Sequence, residues 1–150
     1  MTRFHFRLER VLAWRRTQLE LVEIEFRREG AALAELDRAL AELGDRGIRI
    51  EAEVRDWNFL SGRDLSALSG FRLYAERRAK ALAAQRAEQA RKLAERELDM
   101  QEARRRCRLL EKLRGRRLAE WQSAHARELE EIAAESYLAR FARQSSIIDE

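Results

Sequence analysis

Few side chains in this sequence could do covalent or metal chemistry. Cys107 is the one thiol, and His5 and His125 are the only imidazoles. A single cysteine has no partner for an internal disulfide and no second thiol for a zinc site. Cys107 falls on a helical seam, where a buried inert thiol and a reactive one are both conceivable. His5 and His125 could meet where two helices end together, but without a carboxylate or thiol beside them they make a poor metal site. There is no glycine-rich phosphate loop, and no nucleophile accompanied by a base and an orienting group. No catalytic, cofactor-binding or metal-ligating residue is therefore assigned, and the chain is not expected to be an enzyme.

What the sequence has in quantity is charge. Charged residues make up 39% of the chain, with 31 Lys and Arg against 27 Asp and Glu. That leaves little material for a deep interior, and the mixture of signs marks solvated helical faces more than a nucleic-acid footprint. One run departs from the mixture. Residues 104–117 carry Arg104, Arg105, Arg106, Arg108, Arg114, Arg116 and Arg117 with Lys112, against Glu111 alone. This basic face is either a solvated surface, partly neutralised by Glu20, Glu23 and Glu25 across a helical pair, or a docking face for an acidic partner.

These residues are positioned by helices. Ala, Leu, Glu, Lys and Arg supply 97 of the 150 residues, and there is no proline to interrupt a long helix. Stepping by four and three from Leu8 gives Leu8, Leu12, Arg15, Leu19, Val22, Phe26, Glu29, Leu33, Leu36, Leu40, Leu43, Gly47, Ile50, Val54 and Trp57. Twelve of these fifteen positions are apolar, a heptad seam that predicts one helix over about 2–57, some ~80 Å long. Gly44, Gly47, Gly62 and Gly70 cluster in the middle third, where a break is expected, and the turn-rich stretch predicts a tip at about 58–70. Ser61-x-x-Asp64 reads as a capping box, although Gly70 suggests a second helix that begins only there, over about 71–143 with a frayed C-terminus. Its seam is weaker: Leu82, Leu93, Met100, Ala103, Cys107 and Leu110 are interrupted by Arg86, Gln89 and Arg96, polar positions that fix register or mark a loose section. Beyond Leu110 the apolar positions fall out of phase. The fold class is all-α, a long antiparallel two-helix coiled coil, or hairpin, with the second helix overhanging. A turn centred near residue 64 pairs residue i with about 128 minus i, so the last ~25 residues have no partner in the first helix. They either fold back or project.

Two apolar patches stand out. Val11, Trp14, Leu21 and Ile24 widen the seam of the first helix, and Trp14 either packs on a folded-back C-terminal segment or is offered to a partner. Trp57, Phe59, Phe71 and Tyr74 crowd the tip, as a turn mini-core or as a partner patch. No apolar run resembles a signal peptide or a membrane span, so a cytoplasmic chain without membrane insertion, monomeric alone, is expected.

Two strings carry a family resemblance. The opening Phe4-His5-Phe6-Arg7-Leu8, followed by Val11, Leu12, Arg15 and Arg16, resembles the start of the FliJ family, the small coiled-coil component of flagellar type III protein export. The later Glu111-Lys112-Leu113 with Arg116 and Arg117, followed by Glu128 to Ala133 and Tyr137, is similar to that family's second hallmark. The resemblance implies a component of the export apparatus, cytoplasmic and peripherally associated with the membrane. It would bind the FliI-type ATPase ring like a rotary stalk, promote its assembly or activity, and link it to the FlhA-type export gate and to export chaperones. With that implication, Arg3, Phe4, Arg7, Arg10, Arg127, Tyr137, Arg140, Phe141 and Arg143 become the expected ring contacts, and the tip the second partner surface. An injectisome stalk protein is a close variant. The competing classes are a self-associating scaffold coiled coil and a basic nucleic-acid binder.

Overall fold

The computed structural model describes residues 3–148, with side chains described through Arg143. It is all-α: helix α1 (Glu9–Arg55) and helix α2 (Gly62–Ile148) pack against each other as a helical hairpin, and no strand occurs among the described residues. The chain resolves into two compact units. One contains the described residues up to Thr17 together with those from Arg104 onward, and the other is Gln18–Ala103.

In the Gln18–Ala103 unit the seam of α1 is the covered face. Leu19, Val22, Phe26, Glu29, Leu33, Leu36, Leu40, Leu43, Gly47, Ile50 and Val54 are all half-buried, with their neighbours largely exposed. Opposite them on α2 lie Leu82 and Met100, both buried, and Gln89, Leu93, Arg96 and Ala103, half-buried. The polar interruptions of the α2 seam meet Glu29, itself a seam position of α1, and two acids that flank that seam. Gln89 donates from Nε2 to the Glu29 carbonyl at 3.2 Å and to its carboxylate, Arg86 pairs with Asp37, and Arg96 meets Glu25 at 3.3 Å. Glu29 and Gln89 are half-buried and leaving either single would cost about 1–3 kcal/mol, so a slip of one heptad is penalised at this contact, to which the more exposed Arg86–Asp37 and Arg96–Glu25 pairs add at most about 1 kcal/mol each. The weak middle of α2 is thus a register lock.

The turn is shorter than the predicted 58–70. The last turn of α1 tightens, with Asp56 N–H shared between the carbonyls of Ala52 and Glu53, and α2 starts at Gly62. Ser61 and Asp64 form a reciprocal capping box: Ser61 N–H donates to the Asp64 carboxylate at 3.0 Å, and Asp64 N–H to Ser61 Oγ at 3.2 Å. Two orphan donors are satisfied at once, which outweighs the ~1 kcal/mol that Gly70 costs inside the helix. Gly44, Gly47 and Gly70 are all helical and no glycine has a positive φ, so the central glycines break nothing. Because the turn is centred earlier, Glu51 pairs with Arg72 and Asp37 with Arg86, so residue i faces about 123 minus i.

Helix α1 does not begin at Thr2, which lies outside the described residues. Residues 3–6 are non-helical, and the chain enters α1 through a turn in which Glu9 N–H donates to the Phe6 carbonyl at 3.1 Å. At the other end α2 is one uninterrupted helix to Ile148, so the C-terminal segment does not fold back, and residues 144–148, expected to fray beyond an end at about 143, are helical.

Candidate functional site

The unit formed by the described residues up to Thr17 and the part of α2 from Arg104 onward holds most of the residues singled out from the sequence. Phe4-His5-Phe6 alternates like an extended segment, so Phe4 and Phe6 turn to one side and His5 to the other. Phe6 is buried and Phe4 half-buried, while His5 is exposed. Phe4 meets Trp121 of α2 with ring centroids 6.0 Å apart and planes tilted by 56°, and Trp121 makes an edge contact with His125 at 5.1 Å. Each such pair adds about 0.5–1.5 kcal/mol beyond its buried area. His125 Nδ1 is buried and has no hydrogen-bond partner.

Beside this aromatic trio is a groove of about 930 Å³ lined by Phe4, Phe6, Leu8, Leu113 and Trp121, with Arg3, Arg7 and Arg117 among its polar residues. The sequence reading missed Trp121, Phe6 and His125 as site residues because it continued the helix back to Thr2; the period-two spacing of the two phenylalanines was the available signal. Leu12, in the first turn of α1, is fully buried.

The seam continues through Cys107, which is 3% exposed. Burial, with Glu111 second, pushes its thiol above the ordinary value, and Arg16 and Arg15 only partly oppose this. That environment keeps the thiol protonated and unreactive. Among the described residues no group of three or more His, Cys, Asp and Glu is arranged to hold a metal ion.

The basic run is knitted into its own unit. Arg114 donates to Glu9 at 3.0 Å, Arg16 to Glu111 at 3.0 Å and Arg117 to Glu120 at 2.9 Å. Arg104 and Arg106 have interactions of their own, while Arg105, Arg108 and Arg116 are exposed. Glu9, Glu111 and Glu120 are thus among the acids that serve this run, and Glu25 is engaged by Arg96. These pairs are exposed and worth at most about 1 kcal/mol each.

Past His125 every described side chain from 126 to 143 is exposed, including Arg127, Arg140 and Arg143, with Tyr137 at 69% and Phe141 at 60%. Arg3, Arg7 and Arg10 are exposed at the N-terminal side of the same unit. Of the expected contacts, only Phe4 is partly withdrawn, against Trp121. Trp14 is exposed and carries Arg15, whose guanidinium carbon lies 4.7 Å from its ring centroid. The unbroken run of α2 to Ile148 leaves no folded-back segment to cover it.

At the tip, in the other unit, Phe71 and Tyr74 make a tilted ring pair 6.5 Å apart, with Phe71 half-buried. Phe59 is 93% exposed and Trp57 is also exposed, so the four aromatics do not close into a mini-core.

No protein-family model matches the chain, and no curated protein or solved structure matches it either. No helix among the described residues is long and apolar enough to cross a membrane.

Proposed function

We propose that the chain is a stalk-like component of a flagellar type III protein export apparatus, cytoplasmic and peripheral to its membrane complex. It would bind a FliI-type ATPase ring, promote its assembly or activity, and connect it to a FlhA-type gate and to export chaperones. The observation that carries the proposal is the exposed continuation of α2 beyond Ala126. It holds Arg127, Arg140 and Arg143 with Tyr137 and Phe141, in the unit that also exposes Arg3, Arg7 and Arg10. Its second support is the resemblance of the Phe4-to-Arg16 and Glu111-to-Arg117 strings to the FliJ family.

Arginine suits a bore lined by carboxylates and carbonyls, since its planar fork can re-pair as subunits move past. Each exposed pair contributes under about 1 kcal/mol, so the effect comes from several acting together. A single chain in a ring contacts its subunits unequally, and differential binding of that kind can favour one ring state over another. The exposed Phe59 and Trp57 would serve the second partner, at the tip.

The test is ATP hydrolysis by a purified FliI-type ATPase with and without the chain. Removing residues 127–150 abolishes the stimulation while circular dichroism still reports a folded hairpin, and changing Arg7 and Arg10 together to Glu weakens it. A helical truncation that stimulates as well as the full chain overturns the proposal.

A further inference from the structure

The groove beside the contact of Phe4 with Trp121 is not explained by an arginine-bearing stalk. Its floor is apolar, formed by Phe4 and Leu8 on the N-terminal side and by Leu113 and Trp121 on α2. Phe4, Leu113 and Trp121 are only half-buried and Leu8 is exposed, so each leaves part of its side chain in water. Aromatic and leucine side chains are among those that gain most from being covered. Leu113 and Trp121 are eight residues apart on one helix, so the floor runs about 12 Å along α2. That is the length of about four residues of extended peptide, or about two turns of a helix.

The charges say what fits there. Arg3, Arg7 and Arg117 line the groove against a single acid, Glu120. Arg117 already holds Glu120 at 2.9 Å. Arg3 and Arg7 are exposed, and among the described residues no acid engages either of them. Two unopposed guanidinium groups beside an apolar floor select a ligand that is anionic and apolar at once. A small amphiphile fits poorly, because small ligands are held in pockets that cover most of their surface and this groove is open to solvent. A polypeptide needs no such enclosure. We infer that the groove binds a short acidic segment of a partner protein.

One or two bulky apolar side chains of that segment seat against Leu113 and Trp121, and neighbouring Asp or Glu side chains pair with Arg3 and Arg7. The arginine fork can hold a carboxylate through two parallel N–H donors, which orients the segment as well as attracting it. The contact is small, so binding is of the weak, transient class. Arg3, Phe4 and Arg7 are also expected ring contacts, so an occupied groove and a ring seated on the same side chains exclude each other. The inference does not rest on the ring-binding proposal. Its test uses the chain without any ATPase, so the two can fail separately.

Trp14→Phe and Trp57→Phe, both at exposed positions, leave Trp121 as the sole tryptophan of the full chain, so its emission reports from the groove floor. The probe is a terminally blocked peptide of about eight residues built from Asp, Glu, Leu and Phe. Two peptides of the same length are its comparisons, one with Lys for every acid and one with Ser for every apolar residue. The acidic peptide should shift Trp121 emission saturably below about 1 mM, and each comparison should bind at least about fivefold more weakly. Arg3→Gln together with Arg7→Gln should weaken the acidic peptide about five- to thirtyfold, since each exposed pair is worth a few-fold. Both positions are exposed, so helix content stays as it was. A Trp121 signal that does not respond to the acidic peptide overturns the inference. So does equal binding of the Lys peptide, or a double variant that binds as tightly as its parent. A response to vesicles of anionic phospholipid with none to the peptide makes the groove a lipid site and overturns it as well.

Discussion

Gly70→Ala reports directly on where α2 begins. Gly70 lies in the helix eight residues after Gly62, its φ is not positive, and no atom comes within 4 Å of a Cβ built there. Alanine therefore meets no steric cost and removes the backbone freedom that glycine loses on folding, a gain of about 0.5–1 kcal/mol. For a chain of this size that raises Tm by about 1 to 4 °C. Gly44, Gly47 and Gly115 have the same open surroundings. Gly44 and Gly47 are one turn apart and can couple, whereas Gly70 and Gly115 are 45 residues apart in α2, so the Gly70→Ala, Gly115→Ala double variant should gain about 1–2 kcal/mol. Gly62→Ala is the internal control: at the first helical position its effect should be a few tenths of a kcal/mol. Thermal and urea melts followed by circular dichroism at 222 nm measure all five. If Gly44→Ala stabilises while Gly70→Ala is neutral or harmful, α2 starts after residue 70 and the capping assignment is wrong.

Ser61→Ala removes the cap and should lower Tm by about 2 to 4 °C at neutral pH. The Ser61 hydrogen bonds hold the Asp64 carboxyl below its ordinary 3.8, so this contribution is complete above that pH and disappears as pH falls through the lowered value; a loss that is the same at pH 2 and pH 7 refutes it. Gln89→Ala should cost about 1–3 kcal/mol in urea unfolding by stranding Glu29, whereas Glu29→Leu combined with Gln89→Leu should be close to neutral, and a double variant as unstable as the sum of the singles argues against the lock. Cys107 should react slowly with a thiol reagent in the native chain and fast in urea. Its raised pKa means that the stability it contributes is present below the ordinary 9.0 and is lost as pH rises through the folded value, so equal native and unfolded rates would place the thiol outside the core.

The helical hairpin was legible because a four-three seam from Leu12 to Val54 survives any uncertainty at its ends, and the covered face of α1 follows it residue by residue. The boundaries were harder, since each is a contest between local terms of about 1 kcal/mol. At Gly70 propensity opposed a capping box and lost, and at Phe4 a heptad extrapolated backwards hid the non-helical residues 3–6. The seam breaks at Arg86, Gln89 and Arg96 were visible from the start, but their partners Asp37, Glu29 and Glu25 followed only from the true turn centre, which sets the register. The arginines of the candidate site were readable as a list. Their division into ion-paired Arg114 and Arg117 and exposed Arg127 and Arg140 depended on knowing that α2 continues unbroken to Ile148.

The six-residue turn sets an order of assembly. Glu51 and Arg72 are 21 residues apart along the chain, whereas Arg114 and Glu9 are separated by 105. Closing the longer loop from the open chain costs about 1.4 kcal/mol more than closing the shorter. Pairing that begins beside Ser61 and advances along the helices avoids that extra cost, because each contact brings the next within reach. The contacts of Phe4 with Trp121 then form last and open first. The end that carries the groove and the exposed arginines is thereby the one that can loosen in a brief fluctuation, without the turn being disturbed.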